Sequence, residues 1–335
     1  MGLNNIDLDL IIALQAGGAI GDAGAVMEIG AQQLSNGFLR ARDRIDEIGR
    51  RFGAKGAPPL PAAPAPSDAA TYEPLPADAP GSAAFWRWLG FAYASIDIDG
   101  SPGAIPLDLN CDDAPPEARG RYDIVVNAGT TEHVANQVNA FKVIHDLTRV
   151  GGVMIHHVPA QGMANHGLVN YNPKFFWMLG RGNGYDIVHF AFNGAGHSRE
   201  MPDDIVAESL KFGGDASSGG RYRMADASIV IAMRKRFDIA FAAPIDVNTG
   251  ARTADARLRD RYWTVFEPEA FETMEGVLRR EAALHAREQR VYEREQAVAR
   301  RERMGLGALG PFVAAMSPGL GIGRAVRRAG ALLRR

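Results

Sequence analysis

The sequence has very little cysteine: Cys111 is the single one among 335 residues. One thiol excludes an intramolecular disulfide and every zinc site that is built from several cysteines, and it is consistent with a reducing cytoplasm. The first residues also lack a basic stretch followed by an apolar core, so we do not expect them to form a secretory signal. We therefore expect a cytoplasmic protein.

An excess of charge of one sign is missing too, since 37 basic residues face 39 acidic ones and the formal net charge is -2. We expect no global attraction to nucleic acid or anionic lipid. No basic stripe accompanies the sheet predicted below, which disfavours a nucleic-acid substrate. Residues 304–323 carry no charge, but their many glycines and the prolines Pro311 and Pro318 make them a poor membrane-spanning helix.

The clearest structural pattern lies in residues 122–159. A β-branched run ends in Asn127, apolar residues then recur at roughly helical spacing, and a second apolar run follows Gly151-Gly152. This order of strand, helix and strand predicts a βαβ unit of a parallel sheet. Ligands bind at the carboxyl ends of such strands, so residues 127–133 and 157–161 are expected to face a site.

Three features of this stretch occur together. Asp123 opens the first strand, Glu132-His133 follows its polar turn, and Gly151-Gly152 precedes the second strand. The combination resembles the second half of class I S-adenosylmethionine-dependent methyltransferases. The resemblance implies a Rossmann-like seven-stranded, mostly parallel sheet with helices on both faces, and S-adenosylmethionine as the cofactor. The seven strands are predicted to begin near Ala25, Phe91, Ile105, Tyr122, Val153, Tyr185 and Ala227.

The resemblance also implies which residues bind the cofactor. Glu28 and Gly30 match an acidic strand end followed by a glycine-rich loop, where glycine lets the cofactor's methionine end approach the backbone. Asp97, at the end of the second strand, can accept two hydrogen bonds from a ribose diol, and Asp99 is the alternative in a different register. Asp108 and Leu109 border the adenine. The predicted cofactor-binding set is Glu28, Gly30, Gln32, Asp97, Asp108, Leu109 and Asn127.

Histidines are concentrated where the site is expected. A hydroxyl acceptor must lose its proton, and histidine is the usual base near neutral pH, so His133, His157 and His166 are the predicted catalytic residues. His156 and His157 face opposite sides of their strand. A divalent metal held by Glu132 and these histidines is an alternative, but nothing in the spacing fixes such a site and no metal is assigned.

The composition divides the chain into segments. Residues 1–24 are predicted to form a helix near the site entrance, and residues 25–240 the methyltransferase domain, with a Pro- and Ala-rich insertion at 56–80. Residues 241–305 form an extension with a long charged helix, and 306–335 a basic amphipathic or disordered tail. The helix can pair as a coiled coil in a homodimer. The tail can contact an anionic membrane or a partner protein, so membrane association through it is also considered.

The predicted function is methyl transfer to a hydroxyl of a small molecule or glycan, assisted by histidine. Two alternatives remain open. A nicotinamide-dependent oxidoreductase would share the sheet, but it needs a Gly-x-Gly-x-x-Gly turn, and Gly30-Ala31 is followed by Gln32 and Gln33. In the other alternative the protein is a non-catalytic scaffold, whose first loop no longer binds cofactor and whose C-terminal helix recruits a partner.

Overall fold

The computed structural model of the chain describes residues 2–65, 75–76, 78–163, 165–194, 197–200, 226–246 and 255–262. All of these belong to one compact unit, Met1–Pro268. The predicted long helix and basic tail lie outside the described residues, as does part of the Pro- and Ala-rich insertion. The predicted division of the chain into segments therefore stays a prediction.

The described strands form one sheet in the order β3-β2-β1-β4-β5-β8-β6-β7. Strands β1 to β5 pair in parallel, and β8 runs antiparallel to both of its neighbours, β5 and β6. All seven predicted strands are present, which confirms the Rossmann-like, mostly parallel sheet, and β7 is an additional edge strand. Their bounds are β1 Gly24–Ile29, β2 Phe91–Asp97, β3 Ile105–Pro106, β4 Tyr122–Ala128, β5 Thr148–Gln161, β6 Asp186–Gly194, β7 His197–Glu200 and β8 Ala227–Arg234.

Helices connect and flank these strands. They are α1 Asn5–Ala16, α2 Asn36–Arg40, α3 Arg42–Arg51, α4 Ala83–Trp88, α5 Gln137–Leu147, α6 Pro173–Asn183 and α7 Ala256–Arg261. Polar caps fix where several of them begin: Asn4 accepts from the N–H of Ile6 at the start of α1, and Asn172 precedes Pro173 at the start of α6. Within the described residues, no helix combines the length and apolar character of a membrane span.

The core has two layers, one on each face of the sheet. Side chains of successive strand residues point to opposite faces, so Met27 belongs to the cluster under α5 and α6, whereas Val26 belongs to the cluster under α1 to α4. Phe141 and Phe176 lie in the first cluster, and Trp86 lies in the second. Helices therefore cover both faces, as predicted.

Candidate functional site

A cleft of about 380 Å³ lies at the carboxyl ends of β1, β2 and β4. This is the edge of a parallel sheet where ligands are expected, and the volume is in the range of small-molecule sites. Its walls are the turn after β1, the end of β2, the loop after β3 and the turn after β4. Of the predicted cofactor-binding residues, the walls include Gly30, Gln32, Asp97, Asp108 and Leu109.

The turn after β1 requires glycine at residue 30. Gly30 has a φ of 78°, and a Cβ there would lie 2.3 Å from Thr130 Oγ1. The Thr130 hydroxyl in turn donates to the carbonyl of Ile29 at 2.6 Å. The backbone of this turn therefore lies directly against the turn that follows β4, and the two together form one wall of the cleft.

Gln32 stands where the family resemblance leads one to expect a further glycine. Its side-chain amide donates to the carbonyl oxygens of Ile29 and Gly30 and to Thr130 Oγ1, at 2.9, 3.2 and 3.1 Å. The side chain is buried against the turn. The loop therefore differs from a glycine-rich loop, because the hydrogen bonds of a buried glutamine fix its backbone.

Asp97 reaches the cleft from the end of β2, and backbone groups orient its carboxylate. Oδ2 accepts from the N–H of Ala31 at 2.8 Å, while Oδ1 accepts from Ile98 at 2.7 Å and from Asp99 at 3.2 Å. A carboxylate has about four acceptor positions, so one remains for a ligand, and a second becomes available if the long bond from Asp99 is given up. The side chain of Asp99 accepts from Ser101 instead and is not part of the cleft wall.

The loop after β3 forms the wall opposite the glycine turn. Leu109 is buried, and Asp108 accepts from the N–H of Asn110 at 2.8 Å. Asn110 accepts from the N–H of Asn136 at 3.0 Å, which joins this loop to the start of α5. The wall therefore offers an apolar surface beside an oriented carboxylate.

Glu28 does not reach the cleft. It points to the opposite face of β1, is fully buried, and accepts hydrogen bonds from Ser82 Oγ, Trp86 Nε1 and Tyr93 Oη and from the N–H of Gln32. Burial raises the pKa of this carboxyl to about 7, although each of these bonds favours the ionised form. The predicted direct contact of Glu28 with the cofactor is therefore corrected. Glu28 stabilises the turn after β1 by accepting a hydrogen bond from the N–H of Gln32.

Asn127 is also turned away from the cleft. Its amide nitrogen donates to Thr131 Oγ1 at 2.8 Å, and its oxygen accepts from the Thr131 N–H at 3.2 Å. The cleft wall after β4 consists of Gly129, Thr130, His133 and Val134. The first three lie within residues 127–133, which are expected to face a site because they follow the carboxyl end of a strand. Gly129 and Thr130 have no individual role in that expectation.

His157 is enclosed on the side of the sheet that α1 covers. Its Nδ1 lies 2.9 Å from Asp7 Oδ1 and its Nε2 lies 2.9 Å from Ser228 Oγ. The order of these contacts is that of a hydrolase triad, but all three residues are buried and none is part of the cleft wall. The predicted role of His157 as a base is therefore corrected to that of joining α1, β5 and β8.

His133 and His166 do come together, at one end of the cleft. His133 lines the cleft with its side chain half exposed, and the two imidazole rings lie 5.6 Å apart. Between them is Glu132, which is fully buried, with Oε1 located 3.4 Å from His166 Nε2 and 3.9 Å from His133 Nε2. Burial lowers the pKa of His166. Through His133, the cleft is therefore bordered by a group of two imidazoles and one carboxylate.

Comparisons with known proteins found similarities to solved structures. No protein-family model and no curated protein matches the chain. A methyltransferase from Archaeoglobus fulgidus that depends on S-adenosylmethionine (SAM) is 10% identical, with 68% of this chain and 94% of that chain covered and a TM-score of 0.34.

Two further solved structures are similar at the same level. A geranyl diphosphate methyltransferase in complex with SAM is 9% identical, with 69% and 84% of the chains covered and a TM-score of 0.36. The 1,6-didemethyltoxoflavin-N1-methyltransferase of Burkholderia thailandensis, with S-adenosylhomocysteine bound, is 13% identical, with 69% and 78% covered and a TM-score of 0.30. The described strands form a Rossmann-like, mostly parallel sheet in which the antiparallel strand β8 lies between β5 and β6. This is the fold that the resemblance to class I methyltransferases implies.

Proposed function

We propose that the protein is an S-adenosylmethionine-dependent methyltransferase that acts on a hydroxyl of a small molecule or glycan. The observation that carries this proposal is that two features lie side by side in one cleft. The backbone at Gly30 packs against Thr130, and the N–H of the next residue, Ala31, donates to the Asp97 carboxylate. The backbone of a glycine turn suits the amino-acid end of a ligand, and the oriented carboxylate beside it suits a ribose.

Each part of the cofactor has matching groups in the cleft. Asp97 is suited to accept from the ribose hydroxyls, and Leu109 offers an apolar surface to the adenine, with Asp108 next to it as an acceptor for the exocyclic amine. The turn of residues 30–33 lines the cleft, and its glycine suits a close approach of the methionine end to the backbone. When bound, S-adenosylmethionine supplies a methyl group on a positively charged sulfur, ready for transfer to a nucleophile.

The shape of the first turn argues against a dinucleotide. In dinucleotide-binding folds a helix begins within the glycine turn and directs its N-terminus at the pyrophosphate. Here α2 begins only at Asn36, although β1 ends at Ile29. Gln32 fills the turn with a buried side chain. A nucleoside without a pyrophosphate is therefore the better match.

The acceptor side of the proposal rests on the two imidazoles at the end of the cleft. A hydroxyl acceptor needs a group that takes its proton, and His133 borders the cleft with its ring accessible. His166 belongs to the loop that follows β5. Leu168 of this loop donates its N–H to the Glu132 carbonyl at 2.8 Å. This bond holds the loop close to the cleft, so a bound acceptor can be aligned with the donor.

Titration calorimetry with S-adenosylmethionine and S-adenosylhomocysteine tests the cofactor assignment. We expect micromolar binding by the unmodified protein and a loss of affinity of about tenfold or more in Asp97→Ala, since hydrogen bonds to a charged group contribute about 1.5–3 kcal/mol. Asp99→Ala is the matched control, because it also removes an aspartate carboxylate, and Asp99 is not part of the cleft wall. It should bind like the unmodified protein.

Two results would contradict the proposal. If the folded protein binds neither compound, the cleft is not a cofactor site and the non-catalytic alternative is favoured. If Asp97→Ala and Asp99→Ala weaken binding equally, the ribose assignment is wrong. Circular dichroism of each variant establishes that it is folded.

A further inference from the structure

We propose that Glu132, His133 and His166 form a binding site for a divalent first-row transition-metal cation at the end of the cleft. One ligand atom from each residue lies within 4.8 Å of the other two. The individual separations from Glu132 Oε1 are 3.4 Å to His166 Nε2 and 3.9 Å to His133 Nε2. Ligands bound at about 2.0–2.2 Å to a cation lie about 3–3.5 Å apart, so the two separations from Glu132 Oε1 are already close to those of a metal site.

The burial of Glu132 is the independent observation that points to a cation. Its side chain is fully buried, and no hydrogen bond reaches either carboxylate oxygen within the described part of the chain. An ionised carboxylate without such partners costs several kcal/mol to bury. His166 Nε2 is likewise buried without a hydrogen bond. A cation between these atoms would satisfy both groups at once.

The backbone around Glu132 keeps the carboxylate where it is. Its carbonyl oxygen accepts from the N–H groups of Leu168 and Val169 at 2.8 and 3.1 Å. A Cβ on Gly167 would lie 2.9 Å from Glu132 Cγ and from the same carbonyl, so the loop that carries His166 fits closely against it. The turn after β4 and the loop after β5 thus bring the two histidines to the same oxygen of one carboxylate.

The donor set indicates the class of metal. Two imidazole nitrogens and one carboxylate oxygen suit Zn²⁺, Mn²⁺, Fe²⁺ or Co²⁺ better than Mg²⁺ or Ca²⁺, which prefer oxygen ligands throughout. Three protein ligands leave coordination positions open, as catalytic sites require. Because His133 lines the cleft, a cation bound to it would lie beside the cleft.

A role for the cation follows only if the proposed function holds. A metal at this point would bind an oxygen of the acceptor and lower the pKa of a coordinated hydroxyl. The acceptor class that uses two open positions is a hydroxyl with a second oxygen beside it, such as a diol, a catechol or a hydroxy acid. The predicted histidine bases would then act as ligands of the cation.

Metal binding can be measured without any assay of methyl transfer. The chelator-treated full chain is dialysed against Zn²⁺, Co²⁺, Mn²⁺ or Mg²⁺, and bound metal is counted by mass spectrometry. The visible absorption of bound Co²⁺ reports its ligands. We expect one transition-metal cation per chain, with Mg²⁺ bound far more weakly. His133→Ala and Glu132→Gln should each reduce affinity by at least about tenfold.

His133→Ala is the decisive variant, because a half-exposed side chain is removed with little cost to folding. His189→Ala is the matched control: it removes a partly exposed histidine of β6 and should leave metal binding unchanged. Absence of stoichiometric binding in the unmodified chain would overturn the proposal, and so would equal binding by His133→Ala. The alternative would then be an ion pair between Glu132 and a protonated histidine.

The same samples separate this inference from the cofactor assignment. Calorimetry with S-adenosylhomocysteine on the metal-free chain tests the cleft alone, because Asp97 and Gly30 are not ligands of the cation. Metal binding without cofactor binding would retain the site but remove its proposed role. Cofactor binding without metal binding would leave the proposed function in place and reject the metal site.

Discussion

Glu28 is an acid buried among aromatic side chains, and its hydrogen bonds shape the turn that forms one wall of the cleft. It accepts from Trp86 Nε1 and Tyr93 Oη, both at 2.8 Å, and from the N–H of Gln32 at 3.0 Å. Burial raises its pKa to about 7 and also raises that of the Tyr93 hydroxyl, which has the Glu28 charge beside it. The residue is therefore a link between the pH of the solution and the stability of the fold.

The unfolding free energy is expected to fall as the pH rises from about 4.5 to 7, relative to a Glu28→Gln variant. Over this window the folded state keeps the Glu28 proton while the unfolded chain releases it, so the slope of stability against pH is negative. The shift from 4.5 to about 7 corresponds to roughly 3 kcal/mol. Urea unfolding of both proteins between pH 4.5 and 8 measures the difference.

Glu28→Gln keeps the size of the side chain and removes its titration, so it serves as the internal reference for this measurement. Parallel stability curves for the two proteins would show that Glu28 has an ordinary pKa, and that its hydrogen bonds fully offset burial. A difference that grows in the opposite direction would mean that the ionised form is the stable one in the folded protein.

Some site residues could be predicted from the sequence, and the ones that could not share a physical reason. Asp97 and Gly30 were identified because a strand end and a glycine are visible in the sequence. Glu28 and Asn127 also stand near strand ends, but their side chains point to the two packed faces of the sheet. The face to which each side chain points depends on the neighbour with which it forms hydrogen bonds. The spacing of residues in the sequence does not reveal that neighbour.

At the scale of elements, the docking of α1 depends on one buried carboxylate. Asp7 Oδ2 accepts from the N–H of Asn4 at 2.8 Å and so closes the start of the helix. Asp7 Oδ1 lies 2.9 Å from His157 Nδ1 on β5. One side chain therefore both caps α1 and binds it to the central sheet.

Asp7→Ala is expected to destabilise the protein by about 2–4 kcal/mol, because it removes a cap and leaves buried His157 without its acceptor. Asp9→Ala is the matched control on the same helix. Asp9 is half exposed in an ion pair with Arg44, and exposed pairs contribute at most about 1 kcal/mol. Denaturant unfolding of both variants gives the comparison, and equal losses would show that the buried contact does not dock α1.

The strands were easier to predict than the connections between them. Hydrophobic runs with β-branched residues identify a strand from a few neighbours, and all seven predicted strands are present. The turn after β1 could not be predicted, since the bonds of Gln32 to Thr130 join residues that are far apart in sequence. The cluster of Glu132 with His166 has the same origin, because the loop after β5 must first fold back onto the turn after β4.

At the scale of the whole molecule, the polar residues of the site lie apart from the core. The two hydrophobic clusters fill the faces of the sheet, and the cleft wall shares with one of them Ile96, Leu107, Leu109 and Val134. Asp97 and His133 line the cleft outside both clusters, so they can be changed with little loss of packing, whereas His157 and Glu28 cannot. This separation is what makes the variants proposed above interpretable as tests of binding.

Within the described part of the chain, the residues that form the buried core lie between Leu3 and Ala242, so a chain that ends at Pro268 is expected to keep its fold. Its thermal midpoint and its affinity for S-adenosylhomocysteine should match those of the full chain, because it retains this core and the cleft. The removed sequence contains five arginines after residue 323, and basic amphipathic segments bind anionic lipid.

Flotation with phosphatidylserine vesicles should therefore recover the full chain and not the shortened one, with binding lost at high salt as charges are screened. The charge reversal Arg327→Glu with Arg328→Glu in the full chain is the control, since it changes charge and keeps length. Equal flotation of the full and shortened chains would place any membrane contact in the folded unit. A lowered thermal midpoint in the shortened chain would show instead that residues beyond Pro268 support the fold, and the tail would then have a structural role.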